Sequence, residues 1–143
     1  MGKERNKKII WVNGCFDILH VGHLRLLEYA KSKGDKLVVG IDSDERVRML
    51  KGSNRPINNQ EDRSELLRGL GCVDSVVVFK DEDEMMEKMK ECEAYKMIVG
   101  EEYKYKRVIG EGLLEVEFFE KVPGHSSTFI INEFDELDEE SVF

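Results

Sequence analysis

The stretch Lys8-Ile-Ile-Trp-Val-Asn-Gly-Cys-Phe-Asp-Ile-Leu-His-Val-Gly-His23 decides the fold of this chain. Its opening, Lys8 to Val12, is an apolar run that stops at Asn13-Gly14, which predicts a strand buried on both faces. The segment from Val21 to Lys33 carries apolar side chains at helical spacing and predicts a helix, and Gly34 is expected to end it in the left-handed conformation. A buried strand that runs directly into a helix is the usual start of an α/β fold.

The rest of the chain repeats this alternation of apolar runs and amphipathic segments. Further strands are predicted at Lys36–Ile41, Ser75–Phe79, Lys96–Val99 and Leu114–Phe119. Further helices are predicted from the capping residue Asn58 to Leu70, over Glu82–Cys92, and after Ser126 or Ser127. Core positions are predicted for Trp11, Met85 and Met89. The predicted fold is a Rossmann-like three-layer α/β sandwich with a mostly parallel five-stranded sheet, which binds ligands beyond the carboxyl ends of its strands.

Length and composition limit the organisation and the partners. The 143 residues suffice for one core, and we expect one domain over residues 1–134 followed by an acidic tail, residues 135–143. A formal net charge of -8 argues against nucleic-acid binding, and the short apolar runs argue against a membrane segment. Three cysteines without close spacing fit reduced thiols better than disulfides or structural zinc, which favours a cytoplasmic protein.

A long irregular segment, Met49 to Asn59, contains Lys51-Gly-Ser-Asn-Arg-Pro56. Loops of this length in small domains are more often functional or mobile than decorative. By composition alone, Lys51 and Arg55 could be solvated loop charges or cations for an anionic ligand.

The three histidines fall in two segments, each between a predicted strand and a predicted helix. His20 and His23 precede and begin the first helix, and His125 precedes the last. Free backbone N–H groups and the helix dipole favour an anion at such positions, and both segments contain a glycine that lets a phosphate approach. The alternatives are structural hydrogen bonds by the histidines, or a metal site that includes Asp17, for which no further ligands are evident. Asp17 could equally brace the loop.

The segment from Asn13 to His23 resembles the HxGH signature of the cytidylyltransferase-like nucleotidyltransferases. The resemblance runs in order from Ile9 to Ile131, through Lys51–Asn58, Arg63, Val73-Asp74, Gly100–Tyr103 and Gly124–Thr128. Two branches are near: glycerol-3-phosphate cytidylyltransferase and the adenylyltransferase domain of ADP-heptose synthase. The Lys-Gly-x-x-Arg-Pro-x-Asn stretch looks more like the second.

This resemblance implies an enzyme that moves a CMP or AMP group from CTP or ATP to a phosphorylated small molecule, a sugar or polyol phosphate, and releases pyrophosphate. It implies catalytic roles for His20, His23 and Lys51. It implies nucleotide-binding roles for Gly14, Cys15, Phe16, Asp17, Gly22, Arg55, Arg63, Gly100, Glu101, Glu102, Tyr103, Gly124, His125, Ser126, Ser127 and Thr128. In this scheme Mg²⁺ is held mainly by nucleotide phosphates, with no protein metal site. Similar proteins are often homodimers, and the sequence leaves the oligomeric state open.

The chain departs from the cytidylyltransferase branch at Lys121, where arginine is common, and at His125, where a small or aliphatic residue is usual. Cys15 stands where one branch has threonine. The sequence leaves open the base, cytosine or adenine, and the identity of the acceptor. Two alternatives also stay open: a nucleotide-binding module without turnover, and a pantetheine-phosphate or nicotinamide-nucleotide adenylyltransferase, against which the loop argues.

Overall fold

The computed structural model describes residues 7–100, 108 and 112–120. Strands and helices alternate along this part of the chain. The strands are β1 (Ile9–Gly14), β2 (Lys36–Asp42), β3 (Ser75–Phe79), β4 (Ala94–Gly100) and β5 (Glu115–Phe119). The helices are α1 (Val21–Ser32), α2 (Asp44–Lys51), α3 (Gln60–Arg68) and α4 (Glu82–Glu91). The predicted last helix and the acidic tail lie outside the described residues.

The five strands form one sheet in the order β3-β2-β1-β4-β5, and every pair is parallel. The chain therefore builds outward from β1 to β2 and β3 on one side, and then to β4 and β5 on the other. This confirms the Rossmann-like α/β prediction. Strands are added on one side of β1 up to β3 and on the other side from β4 onward, so the strand order switches between β1 and β4. Ligands of such sheets bind in the crevice at this switch point.

Apolar side chains cover both faces of the sheet, as the continuous hydrophobicity of the strands predicts. One cluster packs α1 and α3 against the sheet and includes Leu26, Leu27, Ala30 and Leu67. The opposite cluster packs α4 against Trp11, Phe79 and Met97. Met85, Met89 and Trp11 are all at most 1% exposed, which confirms their core assignment. In the described ranges, no helix combines the length and apolar character needed to span a bilayer.

Three local predictions differ from the structure. The helix α2 is not predicted, although Ser43 caps it by accepting a hydrogen bond from the Arg46 N–H. The cap of α3 is Asn59, which accepts from the Asp62 N–H, and not Asn58. Gly34 does not have a positive φ; glycine is required because a Cβ there would lie 2.6 Å from the Lys8 carbonyl oxygen.

The indole of Trp11 lies against the backbone of the neighbouring strand at Gly40. A Cβ at Gly40 would lie 2.4 Å from the Trp11 ring and 3.2 Å from the Phe79 ring. The Trp11 Nε1–H donates to the Asn13 side chain at 3.0 Å, which fixes the ring in this position. Gly40 is therefore a packing requirement of the sheet.

We expect Gly40→Ala to lower the free energy of unfolding by roughly 1–3 kcal/mol, since the core is overpacked. Gly71→Ala is the matched control, because a Cβ at Gly71 meets nothing within 4 Å. Urea denaturation of both variants measures the difference. Equal stabilities of the two variants would contradict the packing role of Gly40.

Candidate functional site

A cleft of about 190 Å³ opens at the carboxyl ends of β1, β2 and β4. Its lining includes four residues that sequence analysis predicts for the site, namely Gly14, Cys15, Lys51 and Gly100. It also includes residues that sequence analysis does not predict, among them Asn13, Asp42, Arg46, Leu50, Phe79 and Met85. The cleft thus lies at the topological switch point of the sheet, where α/β folds bind ligands.

His20 and His23 build the start of α1 through a reciprocal pair of hydrogen bonds. His20 Nδ1 accepts from the Gly22 N–H at 3.0 Å, and His23 Nδ1 accepts from the His20 N–H at 3.0 Å. A ring nitrogen that accepts a hydrogen bond carries no proton, so the neutral form of each ring carries its hydrogen on Nε2. Both imidazoles are therefore set as Nε2–H donors at the positive end of a helix.

The Nε2 atom of His20 is buried and has no hydrogen-bond partner in the described part of the chain. Burial also lowers the pKa of His20 below its ordinary value, so the ring is neutral at pH 7. The His23 ring is 1% exposed and packs against both Phe16 and His20. A buried donor without a protein partner next to a helix N-terminus is chemically suited to an anion.

The turn between β1 and α1 passes through Phe16 with a φ of 52°, in the left-handed region that is rare for an aromatic residue. The Phe16 side chain is 1% exposed, and its ring centroid lies 5.3 Å from that of His23. Packing thus holds an unfavourable backbone conformation, as is common at functional sites. In this structure Phe16 supports His23; its contact with a nucleotide stays a prediction.

The Asp17 carboxylate holds the loop that precedes α3. Its Oδ2 accepts from the Ile57 N–H at 2.8 Å and from Arg55 Nε at 3.1 Å, and its Oδ1 accepts from the Asn58 N–H at 2.8 Å. The Asn58 side-chain amide also donates to the Asp17 carbonyl oxygen. Asp17 is 2% exposed, and these contacts brace the loop in this structure, while its contact with a nucleotide stays a prediction.

Arg63 joins four separate segments around the cleft. The family resemblance implies a nucleotide-binding role for it, and the structure places it in α3 with 0% exposure. Its guanidinium donates to the carbonyl oxygens of Cys15, Asp42 and Asn58 and to the carboxylate of Asp44, at 2.7–3.0 Å. In this structure Arg63 is a positioning residue for the backbone around the cleft; direct contact with a nucleotide stays a prediction.

The Cys15 thiol lines the cleft but is not set up as a nucleophile. Burial raises its pKa to about 11, and the nearby Arg63 guanidinium opposes that effect only in part. A thiol with this pKa is protonated at neutral pH, whereas the thiolate is the reactive form.

Several predicted site residues lie outside the described residues. These are Glu101, Glu102, Tyr103, Gly124, His125, Ser126, Ser127 and Thr128, and the divergent Lys121 lies outside as well. Sequence analysis does not assign Asp42 and Arg46 to the site, because it does not predict α2, which brings Arg46 to Asp42. The signal was present in Ser43-Asp44-Glu45, a capping serine followed by acidic residues in the first turn of a helix.

We expect Arg63→Gln to lower the free energy of unfolding by roughly 3–5 kcal/mol, because it breaks a buried ion pair and leaves carbonyl oxygens without donors. Arg68→Gln is the control, since Arg68 is exposed on the same helix and should change stability by less than about 0.5 kcal/mol. Urea denaturation compares them. If Arg63→Gln costs no more than the control, Arg63 does not hold the cleft together.

We expect stability to fall as the pH is lowered below 6.5, in part because of His20. Its folded-state pKa lies below the ordinary value of 6.5, so the unfolded chain binds the proton more readily over that interval. Asn is an equally good helix cap and does not titrate, so His20→Asn should flatten this part of the stability curve. Unfolding free energies of both proteins between pH 7.5 and 5 provide the measurement, and superimposable curves would contradict it.

Comparison of the sequence with known proteins identifies one family. The sequence profile described as "Cytidylyltransferase-like" matches residues 11–133. The chain is similar to the bifunctional protein HldE of Campylobacter curvus (strain 525.92), with 44% identity over 139 residues, which are 96% of this chain and 30% of that protein. It is also similar to the bifunctional protein HldE of Wolinella succinogenes, with 46% identity over 130 residues, 90% of this chain and 27% of that protein. The chain thus spans less than a third of these curated relatives.

Solved structures give the same picture. A lipopolysaccharide core biosynthesis protein from Thermoplasma volcanium superposes with a TM-score of 0.65 at 27% identity, covering 82% of this chain and 98% of that one. A pantothenate synthetase from Thermus thermophilus, at 17% identity, shares the fold with a TM-score of 0.56, over 80% of this chain and 56% of that one. With a family profile that covers most of its length, and with its HxGH histidines at the start of α1, the chain belongs to the cytidylyltransferase-like family.

Proposed function

We propose that this protein is a nucleotidyltransferase that moves a nucleoside monophosphate group from ATP or CTP to a small phosphorylated acceptor and releases pyrophosphate. The observation that carries this proposal is the reciprocal hydrogen bonding of the two histidines at the start of α1, which uses both Nδ1 atoms as acceptors and leaves each Nε2 as the donor. Donors fixed in advance stabilise charge that develops on a transferring phosphoryl group, which is the main requirement of this chemistry.

The reaction needs no general base. The attacking group is an oxygen of the acceptor's phosphate, which is already anionic at neutral pH because its second pKa is about 6. It bonds to the α-phosphorus as the bond to the pyrophosphate oxygen breaks, so pyrophosphate leaves with that electron pair. The Asp17 carboxylate is occupied by Arg55 and two backbone N–H groups, which fits a site without a carboxylate base.

Lys51, which lines the cleft as His20 and His23 do not, supports the same proposal. It is the last residue of α2 and lines the cleft, so its ammonium group is placed to neutralise phosphate charge. Gly52 follows with a φ of 112°, which ends the helix there and fixes where Lys51 stands.

Mg²⁺ fits this site as an ion carried by the nucleotide. Across the described residues, no group of three or more His, Cys, Asp or Glu side chains is arranged to hold a metal ion. Asp42 lines the cleft, but one of its carboxylate oxygens binds Arg46. Bound through phosphate oxygens, Mg²⁺ would neutralise charge on the triphosphate.

Two observations favour a particular triphosphate and a particular class of acceptor. The stretch from Lys51 to Asn58 resembles the adenylyltransferase domain of ADP-heptose synthase more than glycerol-3-phosphate cytidylyltransferase, so we propose ATP ahead of CTP. The similar structure from Thermoplasma volcanium is a lipopolysaccharide core biosynthesis protein, which favours a sugar phosphate over a nucleotide acceptor. The cytoplasmic location and the homodimer stay predictions.

Pyrophosphate release from ATP and CTP with a panel of sugar and polyol phosphates tests the proposal. We expect turnover with at least one pair. His20→Ala and His23→Ala should each lower turnover on the order of 100-fold to 1,000-fold, since each removes a donor to the transferring phosphoryl group. Arg48→Ala, an exposed change on α2, is the control and should leave turnover unchanged.

Two results would contradict the proposal. Triphosphate binding without pyrophosphate release in the presence of any acceptor would make the chain a binding module. Full turnover by a histidine variant with unchanged circular dichroism would remove that histidine from the catalytic machinery.

A further inference from the structure

The ion pair between Asp42 and Arg46, on the β2 side of the cleft, has no role in the reaction described so far. Asp42 ends β2, and Arg46 lies one turn into α2. Arg46 Nε donates to Asp42 Oδ1 at 2.7 Å, and both residues line the cleft. The Arg46 and Asp42 side chains are 11% and 16% exposed, so the pair is largely shielded from solvent.

Arg46 keeps hydrogen-bonding capacity for a ligand. The bond to Asp42 uses Nε, and the guanidinium carbon lies 5.7 Å from the centroid of the Phe79 ring. Neither Nη1 nor Nη2 donates to another group in the ranges that the structure describes. A planar fork of N–H donors is thus held by an aromatic ring and a carboxylate at the wall of the cleft.

Asp42 contributes an acceptor whose position is fixed. Its backbone oxygen accepts from Arg63 at 2.8 Å, and its Oδ1 is bound by Arg46. A carboxylate at this point repels a phosphate group but accepts hydrogen bonds from neutral hydroxyl groups. Together with Arg46 it offers donors and an acceptor side by side, which is the pattern that a hydroxyl-bearing carbon skeleton satisfies.

The sheet topology separates this pair from the expected position of the nucleotide. Ligands of such sheets bind where the strand order switches from one side of the first strand to the other, here between β1 and β4. Asp42 stands at the end of β2, on the opposite side of β1 from β4. Phe79 and Met85 line the same wall and supply apolar surface for the C–H groups of a ligand.

We propose that Asp42 and Arg46 are specificity-determining residues that bind the hydroxyl groups of the sugar or polyol part of the acceptor. This inference rests on the proposed function, because it takes the other side of the cleft for the nucleotide. It assigns the choice among phosphate esters to the end of β2 and the first turn of α2, positions outside the motifs that sequence analysis quotes.

Isothermal titration calorimetry on the full chain tests the inference without any need for turnover. The probes are glycerol 3-phosphate, glucose 1-phosphate and mannose 1-phosphate, with n-propyl phosphate as the ester that lacks hydroxyl groups. We expect at least one hydroxylated ester to bind roughly tenfold more tightly than n-propyl phosphate, since each buried hydrogen bond contributes on that order. Asp42→Asn, Arg46→Gln and Arg46→Lys should each remove most of this difference.

Affinity for ATP and CTP in the same variants separates the two sides of the cleft. It should stay within about twofold of the wild-type value, while Arg48→Gln, an exposed change on α2, should alter neither affinity. Equal weakening of nucleotide and ester in the Asp42 and Arg46 variants would overturn the inference, as would n-propyl phosphate binding as tightly as every hydroxylated ester. Absence of pyrophosphate release would instead count against the proposed function, and these binding results would still decide the role of the pair.

Discussion

The buried guanidinium of Arg63 is the interaction on which the geometry of the cleft depends. A charge with 0% exposure is costly unless it is paired and its N–H groups find acceptors. Arg63 finds acceptors in the β1–α1 turn, the end of β2, the start of α2 and the loop before α3. These four segments carry the proposed nucleotide and acceptor contacts. One side chain therefore ties together the segments that carry both sets of proposed contacts, and Asp17 adds a second tie between the first turn and the loop.

The histidines show how the bonds that cap a helix can also orient two Nε2–H donors. The bonds that satisfy the Gly22 and His20 N–H groups also remove the hydrogen from both Nδ1 atoms. The hydrogen must then be on Nε2, the atom of His20 that no described protein group binds. Lysine or arginine would supply more charge, but neither could accept the capping bonds. The spacing of the two histidines thus meets two requirements: each Nδ1 accepts a capping hydrogen bond, and each Nε2 is left as a donor.

The sequence was sufficient for the parallel sheet, the core positions of Trp11, Met85 and Met89, and the grouping of Gly14, Cys15, Lys51 and Gly100 at one cleft. Those features depend on local hydrophobic pattern and on strand order, which short segments encode. It did not predict that Arg63 would be buried, because a guanidinium is buried only where several distant carbonyl oxygens converge. The Asp42–Arg46 pair is not predicted for a simpler reason, since α2 is short and has a single fully buried apolar residue, Val47.

The tautomeric state of the two histidines, measured by long-range ¹H–¹⁵N correlation at pH 7.5 with and without a nucleoside triphosphate, tests most directly whether they donate to phosphate. We expect both rings to be neutral with the hydrogen on Nε2. We also expect ATP or CTP to shift the Nε2 resonances of His20 and His23 while the Nδ1 resonances keep the shifts of hydrogen-bond acceptors. Rings protonated on Nδ1, or Nε2 resonances that a saturating triphosphate leaves unmoved, would contradict that role.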